Sequence, residues 1–121
     1  EGCACIGRAI EVLEVLFAPH RRPTSAPYDV IMAFCPNREA LDRHAAGLPA
    51  RLKPKGALWL TWPRRSSGVD TDIGEAEIRQ AGLATGLVDV KIAAIDDVWS
   101  GLKFLRRRAP KYHTMWPEVD R

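Results

Sequence analysis

Apolar residues along this chain come in runs broken by proline, glycine and charge, and the runs alternate between two periods. "YDVIMAF", residues 28–34, is almost continuously apolar and is closed by Cys35-Pro36. A run of that length and density reads as a strand buried on both faces, as in a parallel sheet. From Asn37 the spacing changes. Leu41, Ala45, Leu48 and Leu52 fall on one helical face, behind an asparagine suited to cap a helix. Gly47 and Pro49 interrupt that stripe, so the pattern predicts a kink there or a restart with Pro49 in the first turn. "KPKG" (53–56) ends the helical pattern, and "ALWLTW" (57–62) reads as a second apolar strand closed by Pro63.

Beyond a Ser/Gly turn, Asp72 and Glu75 have the three-residue spacing of a capping pair for a second helix, with Gly86 as its stop. "LVDVKIAAID" (87–96) alternates in part and reads as a third strand; "DVWSG" turns, and "LKFLRR" (102–107) returns as a fourth. Upstream, "AIEVLEVLF" (9–17) fits a short helix or a strand equally, and "APHRRPTSAP" (18–27), with three prolines, must be a loop. Strand, helix, strand, helix, strand and a closing hairpin define an α/β layout with a mainly parallel sheet. The expected division is one domain over 1–108, with 1–26 its atypical or truncated amino-terminal part, and a tail over 109–121.

Composition adds limits. With 121 residues, 46% hydrophobic and 27% charged, the chain has the size and make-up of one globular domain. No apolar run approaches the roughly 20 residues that span a bilayer. The amino terminus lacks the basic and apolar regions of a signal peptide. Cys3, Cys5 and Cys35 cannot all pair, and a reducing cytoplasm is the simplest setting for them. His20, His44 and His113 stand singly and no second cysteine pair follows "CAC", so no metal site is expected. The net charge of +3 is unevenly placed: seven acids against two bases lie between Asp70 and Asp97, leaving the remainder strongly basic. Such segregation can steer an anionic partner.

The order of elements resembles the carboxyl-terminal half of a class I methyltransferase-like, Rossmann-like fold, a three-layer sandwich. In it "YDVIMAF" would be the fourth strand and "LKPKGALWLTWP" the fifth; the last two segments would be the sixth strand and an antiparallel seventh. A more specific resemblance, carried by "PYDVI", "LKPKGALWLTWPRRSSGV" and "WSGLKF" over about residues 27–108, is to a short bacterial family catalogued only as a domain of unknown function. The methyltransferase resemblance implies an S-adenosylmethionine site with a Gly-rich loop after the first strand. "EGCACIGRAIEVL" (1–13) is the one segment similar to such a loop; Glu1, Gly7 and Arg8 fit it, but Cys3 and Cys5 stand where glycines belong. The reading therefore expects no cofactor, with S-adenosylmethionine as the alternative.

Ligands of open α/β sheets sit outside the carboxyl ends of the parallel strands. The ends expected here supply Asn37; Trp62, Arg64, Arg65 and Ser67; and Asp96, Asp97, Trp99 and Ser100, as a candidate rim for a small anionic or polar ligand. Arg64 and Arg65 could pair with Asp96 or Asp97, or hold a phosphate or carboxylate in a fork. Adjacent carboxylates on a strand point to opposite faces, which makes Asp96 and Asp97 a poor acid–base dyad. The serines lack the Gly-x-Ser-x-Gly elbow of a hydrolase. Arg106, Arg107 and Arg108 are expected to alternate along an edge strand, where charge discourages aggregation. Three functions follow. The first is a non-catalytic module that binds a small ligand or a protein, with no membrane partner and a homodimer through an exposed sheet edge as one arrangement. The second is a methyltransferase relative completed by an upstream segment or a partner. The third is nucleic-acid binding through the basic edge, the weakest of the three because exposed aromatics are few beside the arginines.

Overall fold

The structure, a computed structural model, describes residues 27–106 and the backbone of 3–6. Five strands and two helices follow in the order β1 (Cys3–Ile6), β2 (Tyr28–Phe34), α1 (Arg38–Gly47), β3 (Leu52–Pro63), α2 (Glu75–Ala84), β4 (Leu87–Ala94) and β5 (Trp99–Arg106). The sheet order is β1-β2-β3-β5-β4. β1, β2 and β3 run parallel, and β5 is antiparallel to both β3 and β4. The fold is the mixed α/β, Rossmann-like arrangement expected, with the antiparallel strand slotted between two strands that are parallel to one another.

That slot corrects the expected edge. β5 bonds β3 on one side and β4 on the other, so the strand that ends in Arg106 is interior and β4 is the outer strand. Arg106, at its end, folds back to donate to the Pro49 and Leu52 carbonyls, both at 2.9 Å, and ties down the turn that leads into β3. The hydrophobic pattern marks β5 as a strand but carries no record of which neighbours it takes. The readings of 9–17, of most of 18–27 and of everything beyond Arg106 lie outside the described residues.

Both crossovers, β2-α1-β3 and β3-α2-β4, advance the same way across the sheet. Right-handed connections then place both helices on one face. The core lies between: Ile31, Ala33, Leu58, Leu60, Trp62, Leu102 and Phe104 from the strands meet Leu41, Leu48 and Ile78 from the helical layer. Burying side chains of this kind stabilises the fold by roughly 1.5–3 kcal/mol each. Trp59, between Leu58 and Leu60, turns to the other face, where the Cβ position of Gly101 lies 3.1 Å from its ring and 3.0 Å from Thr61 Cγ2. "WSG" is therefore strand, not turn: Trp99, Ser100 and Gly101 belong to β5, opposite Pro63, Trp62 and Thr61 of β3.

α1 ends at Gly47 and the chain restarts with Pro49 in the first turn of a separate 3-10 helix, Pro49–Arg51, one of the two outcomes the pattern predicts. Two other expectations shift. β3 begins at Leu52, the bound the resemblance implied, rather than at Ala57 as the apolar pattern read; "KPKG" belongs to it, and the register with β2 jumps across this stretch so that Tyr28 faces Leu52 while Val30 faces Ala57. Gly56 lets the two backbones close there, because a Cβ would stand 2.8 Å from the Tyr28 carbonyl oxygen. At α2 the cap is Gly74, whose N–H donates to Glu77 Oε1 at 2.9 Å, not the Asp72/Glu75 pair.

α2 lies on β5 through Gly82: a Cβ there would stand 2.1 Å from Phe104 Cε2, inside the ring's own volume. Gly82→Ala should lower stability by about 1–3 kcal/mol, as overpacking does. Gly47→Ala, with nothing within 4 Å of the new carbon, should be neutral or slightly stabilising. Urea midpoints of the two variants check the contrast; equal midpoints would refute the contact.

Candidate functional site at the carboxyl ends of the strands

The carboxyl ends of β2, β3 and β4 and the start of β5 share one rim. Cys35 N–H donates to the Thr61 carbonyl at 2.9 Å, and Arg64 N–H donates to the Val98 carbonyl at 2.7 Å, carrying the ladders past the strand ends. At the β4–β5 turn, Asp96 Oδ1 accepts from Val98 N–H and Trp99 N–H, both at 2.8 Å, the local bonding by which aspartate favours turns. The Arg64 guanidinium donates to the Asp96 backbone carbonyl rather than to either carboxylate. Arg64 is thus a clamp on the turn, and its Nε is buried without a partner.

Between β3 and α2 the chain crosses the rim. A 3-10 turn, Arg65–Ser67, closes at Gly68, where φ is 78° and glycine is required. Ser67 Oγ donates to the Arg64 carbonyl at 2.6 Å. Thr71 Oγ1 donates to the Pro36 carbonyl at 2.8 Å, and Asp72 Oδ1 accepts from Arg38 N–H at 2.8 Å, so the segment is bonded to the end of β2 and the start of α1. Ile73 plugs into the core.

This crossing encloses a cleft of about 850 Å³, within the range of small-molecule sites. Its wall takes Trp62, Pro63, Arg64 and Arg65 from β3 and the turn; Asp70, Thr71 and Asp72 from the crossing; Glu75 and Glu77 from α2; Ile92 from β4; and Ser100 from β5. Of the residues expected at the rim, Trp62, Arg64, Arg65 and Ser100 meet here. The others do not line it: Asn37 Oδ1 accepts from Ala40 N–H at 2.9 Å as the cap of α1, and Ser67 and Asp96 bond their own turns. Trp99 packs edge-on against Phe34, their centroids 5.0 Å apart, and Asp97 is exposed. The four acids on the wall escaped the sequence reading, although the negative charge between Asp70 and Asp97 was the signal. They outnumber the two arginines, which works against a purely anionic guest.

Most of this charge is already engaged. Glu75 pairs with Arg79 at 2.9 Å, and Arg79 also holds Asp89 at 2.9 Å. The hydrogen bond from Arg79 keeps the Asp89 carboxyl below its ordinary range, a preference for the charged form that is lost as pH falls. Cys35, buried at the end of β2, has its thiol pushed up to about 12 by desolvation, against a smaller lowering effect of its hydrogen bond with the Thr61 backbone. His44, half-buried in α1, is held below its ordinary value by burial, with Arg43 adding to the effect. Among the described residues no three His, Cys, Asp or Glu side chains gather as a metal site.

Cys3–Ile6, inside the segment similar to a Gly-rich loop, is strand, with Ile6 opposite Ala33 of β2. Asn37 is committed to its cap, and Cys35 is buried.

No family model matches the chain, and no curated protein matches it; the resemblance to a short bacterial family thus finds no family-level match. Solved structures do match. A putative type 11 methyltransferase from Sulfolobus solfataricus superposes with a TM-score of 0.55 at 16% identity, over 91% of this chain and 73% of that one. A ribosomal protein L11 methylase from Lactobacillus delbrueckii subsp. bulgaricus gives 0.52 at 17% identity, over 80% of this chain and 49% of that one. A TehB-like SAM-dependent methyltransferase from Corynebacterium glutamicum gives 0.52 at 9%, over 81% and 62%. At such identities the likeness is one of fold: the chain has a class I methyltransferase-like Rossmann fold, corresponding to its carboxyl-terminal half. It spans about half the length of the L11 methylase. No helix among the described residues is long and apolar enough to cross a membrane.

Two outcomes test the site's chemistry. Arg64→Ala, which removes the clamp, should cost about 1–2 kcal/mol in a urea melt, while exposed Arg65→Ala should leave the midpoint unchanged. Cys35 should resist iodoacetamide at pH 8 in the folded protein and react once unfolded, read by peptide mass spectrometry. Because its folded value is raised, its contribution to stability is full below about 9, the ordinary value, and falls away as pH rises towards about 12. Rapid native labelling would contradict the burial.

Proposed function

We propose that this chain is the acceptor-side part of a class I S-adenosylmethionine-dependent methyltransferase, with the cofactor side completed by an upstream segment or a partner. The observation that carries this reading is the sheet itself. Parallel β1, β2 and β3, followed by an antiparallel strand inserted before β4, form the sheet that superposes on the methyltransferases. Fold alone does not assign chemistry. The reading gains support from the position of the cleft, which opens at the carboxyl end of β3, where ligands of open α/β sheets sit. On this reading the wall formed by Arg65, Asp70 and Ser100 receives a polar methyl acceptor.

The neighbours favour this over a module without catalysis, which remains the second reading because Cys3 and Cys5 stand where the resemblance puts glycines. In that case the cleft takes a small polar ligand and no methyl transfer occurs. A basic-edge nucleic-acid role loses its footing, since the strand that ends in arginine is interior.

Native mass spectrometry of the natural gene product, purified from its own cells and titrated with S-adenosylmethionine and S-adenosylhomocysteine, tests the choice. An adenosyl adduct on the chain, or on its complex with a co-purifying partner, is the expected result. No adduct in either form, with the protein folded by circular dichroism, overturns the methyltransferase reading and leaves the binding module.

A further inference from the structure

We infer that residues 64–74 are a latched strap, and that the latch couples the cleft to the amino end of α1. The connection from β3 to α2 is longer than the usual few residues and holds only one short turn. Its middle is weakly held. Gly68 takes the left-handed conformation, Val69 is 45% exposed, and the Val69 N–H bonds only to Ser67 Oγ within the turn. Its far end is fastened to another part of the fold by Thr71 Oγ1 on the Pro36 carbonyl and by the Asp72 carboxylate on Arg38 N–H.

The second fastening is also a helix cap. The first-turn amides of a helix have no partner inside it. At α1, Asn37 Oδ1 satisfies Ala40 N–H locally, while Arg38 N–H is satisfied by Asp72, 34 positions away in the chain. α1 and the strap each therefore lend the other a bond. Opening of the helix start releases the strap, and release of the strap uncaps the helix; a coupling free energy of this kind is reciprocal.

The strap also makes most of the cleft. Arg65, Ser66, Val69, Asp70, Thr71 and Asp72 all lie on its wall, so the cleft exists in this form only while the latch is closed. A guest that binds the closed wall tightens the first turn of α1, and loosening that turn weakens the site. None of this requires that the guest be a methyl acceptor.

Hydrogen–deuterium exchange on the intact protein reads the coupling directly. In Thr71→Val/Asp72→Ala, amides of 38–41 and of 68–74 should exchange about five- to tenfold faster, the loss expected of a removed cap, while β2, β3 and β5 keep their protection. Asn37→Ala, which touches only the local cap, should also speed exchange in 68–74; a purely structural loop would not respond to it. The proposal is overturned if Asn37→Ala leaves 68–74 unchanged, or if the double variant affects 68–74 alone. Should the double variant lose strand protection as well, Thr71→Val, which removes one bond, is read by the same two criteria.

Discussion

Everything in this sheet depends on one strand being accepted between two others. β3 and β4 are parallel to one another and joined by a helix, yet they share no hydrogen bonds; β5 fills the gap and satisfies both, antiparallel to each. An unfilled gap would leave two rows of backbone donors and acceptors without partners, which a folded interior does not tolerate. The strand that fills it must also be thin on one face and bulky on the other. Gly101 lets Trp59 and Thr61 close over one side, while Leu102 and Phe104 enter the core on the helical side. Phe104 in turn determines how close α2 can come, since Gly82 leaves no atom between the helix and the ring.

The rim inherits its form from that arrangement. Because β5 starts where β3 ends, Arg64 reaches the β4–β5 turn and clamps it, and the chain leaving β3 has to cross the rim to begin α2. The crossing makes the cleft and, through Asp72, reaches the start of α1. A side chain that reads as a cap for the next helix thus serves the preceding one. The negative charge of the 70–77 stretch is shared among a cap, a helix-surface pair and the wall of the cleft.

Where burial dictates residue type, the sequence was legible. "YDVIMAF" reads as a buried strand because its inward positions are apolar, and Asn37 and Gly86 mark a helix start and a helix stop by local chemistry that needs no tertiary context. The errors have a common origin in long-range pairing. Arg106 looks like the charged end of an edge strand but spends its guanidinium on two carbonyls of a distant turn. "KPKG" looks like a breaker because Pro54 lacks a donor and Gly56 lacks a side chain, yet a register jump accommodates both within β3. The cap of α2 was misplaced by two residues because a glycine has no side chain to announce it; only Glu77 carries the signal. At the rim, the aromatic and arginine positions could be found from strand ends alone, but the acids of the crossing could not, since nothing local says that the crossing folds over the cleft.

The late arrival of β5 has a consequence for synthesis. A ribosome delivers β3 some forty residues before the strand that must lie against it, and β4 only shortly before. Throughout that interval one side of β3 presents unpaired backbone and the Leu58–Leu60 surface lacks its Phe104 neighbour. The growing chain is therefore exposed to wrong partners until the last residues of β5 have left the exit tunnel. A polypeptide stalled before Phe104 would be a target for chaperones and proteases, and a slow codon placed just after β4 would lengthen that exposure.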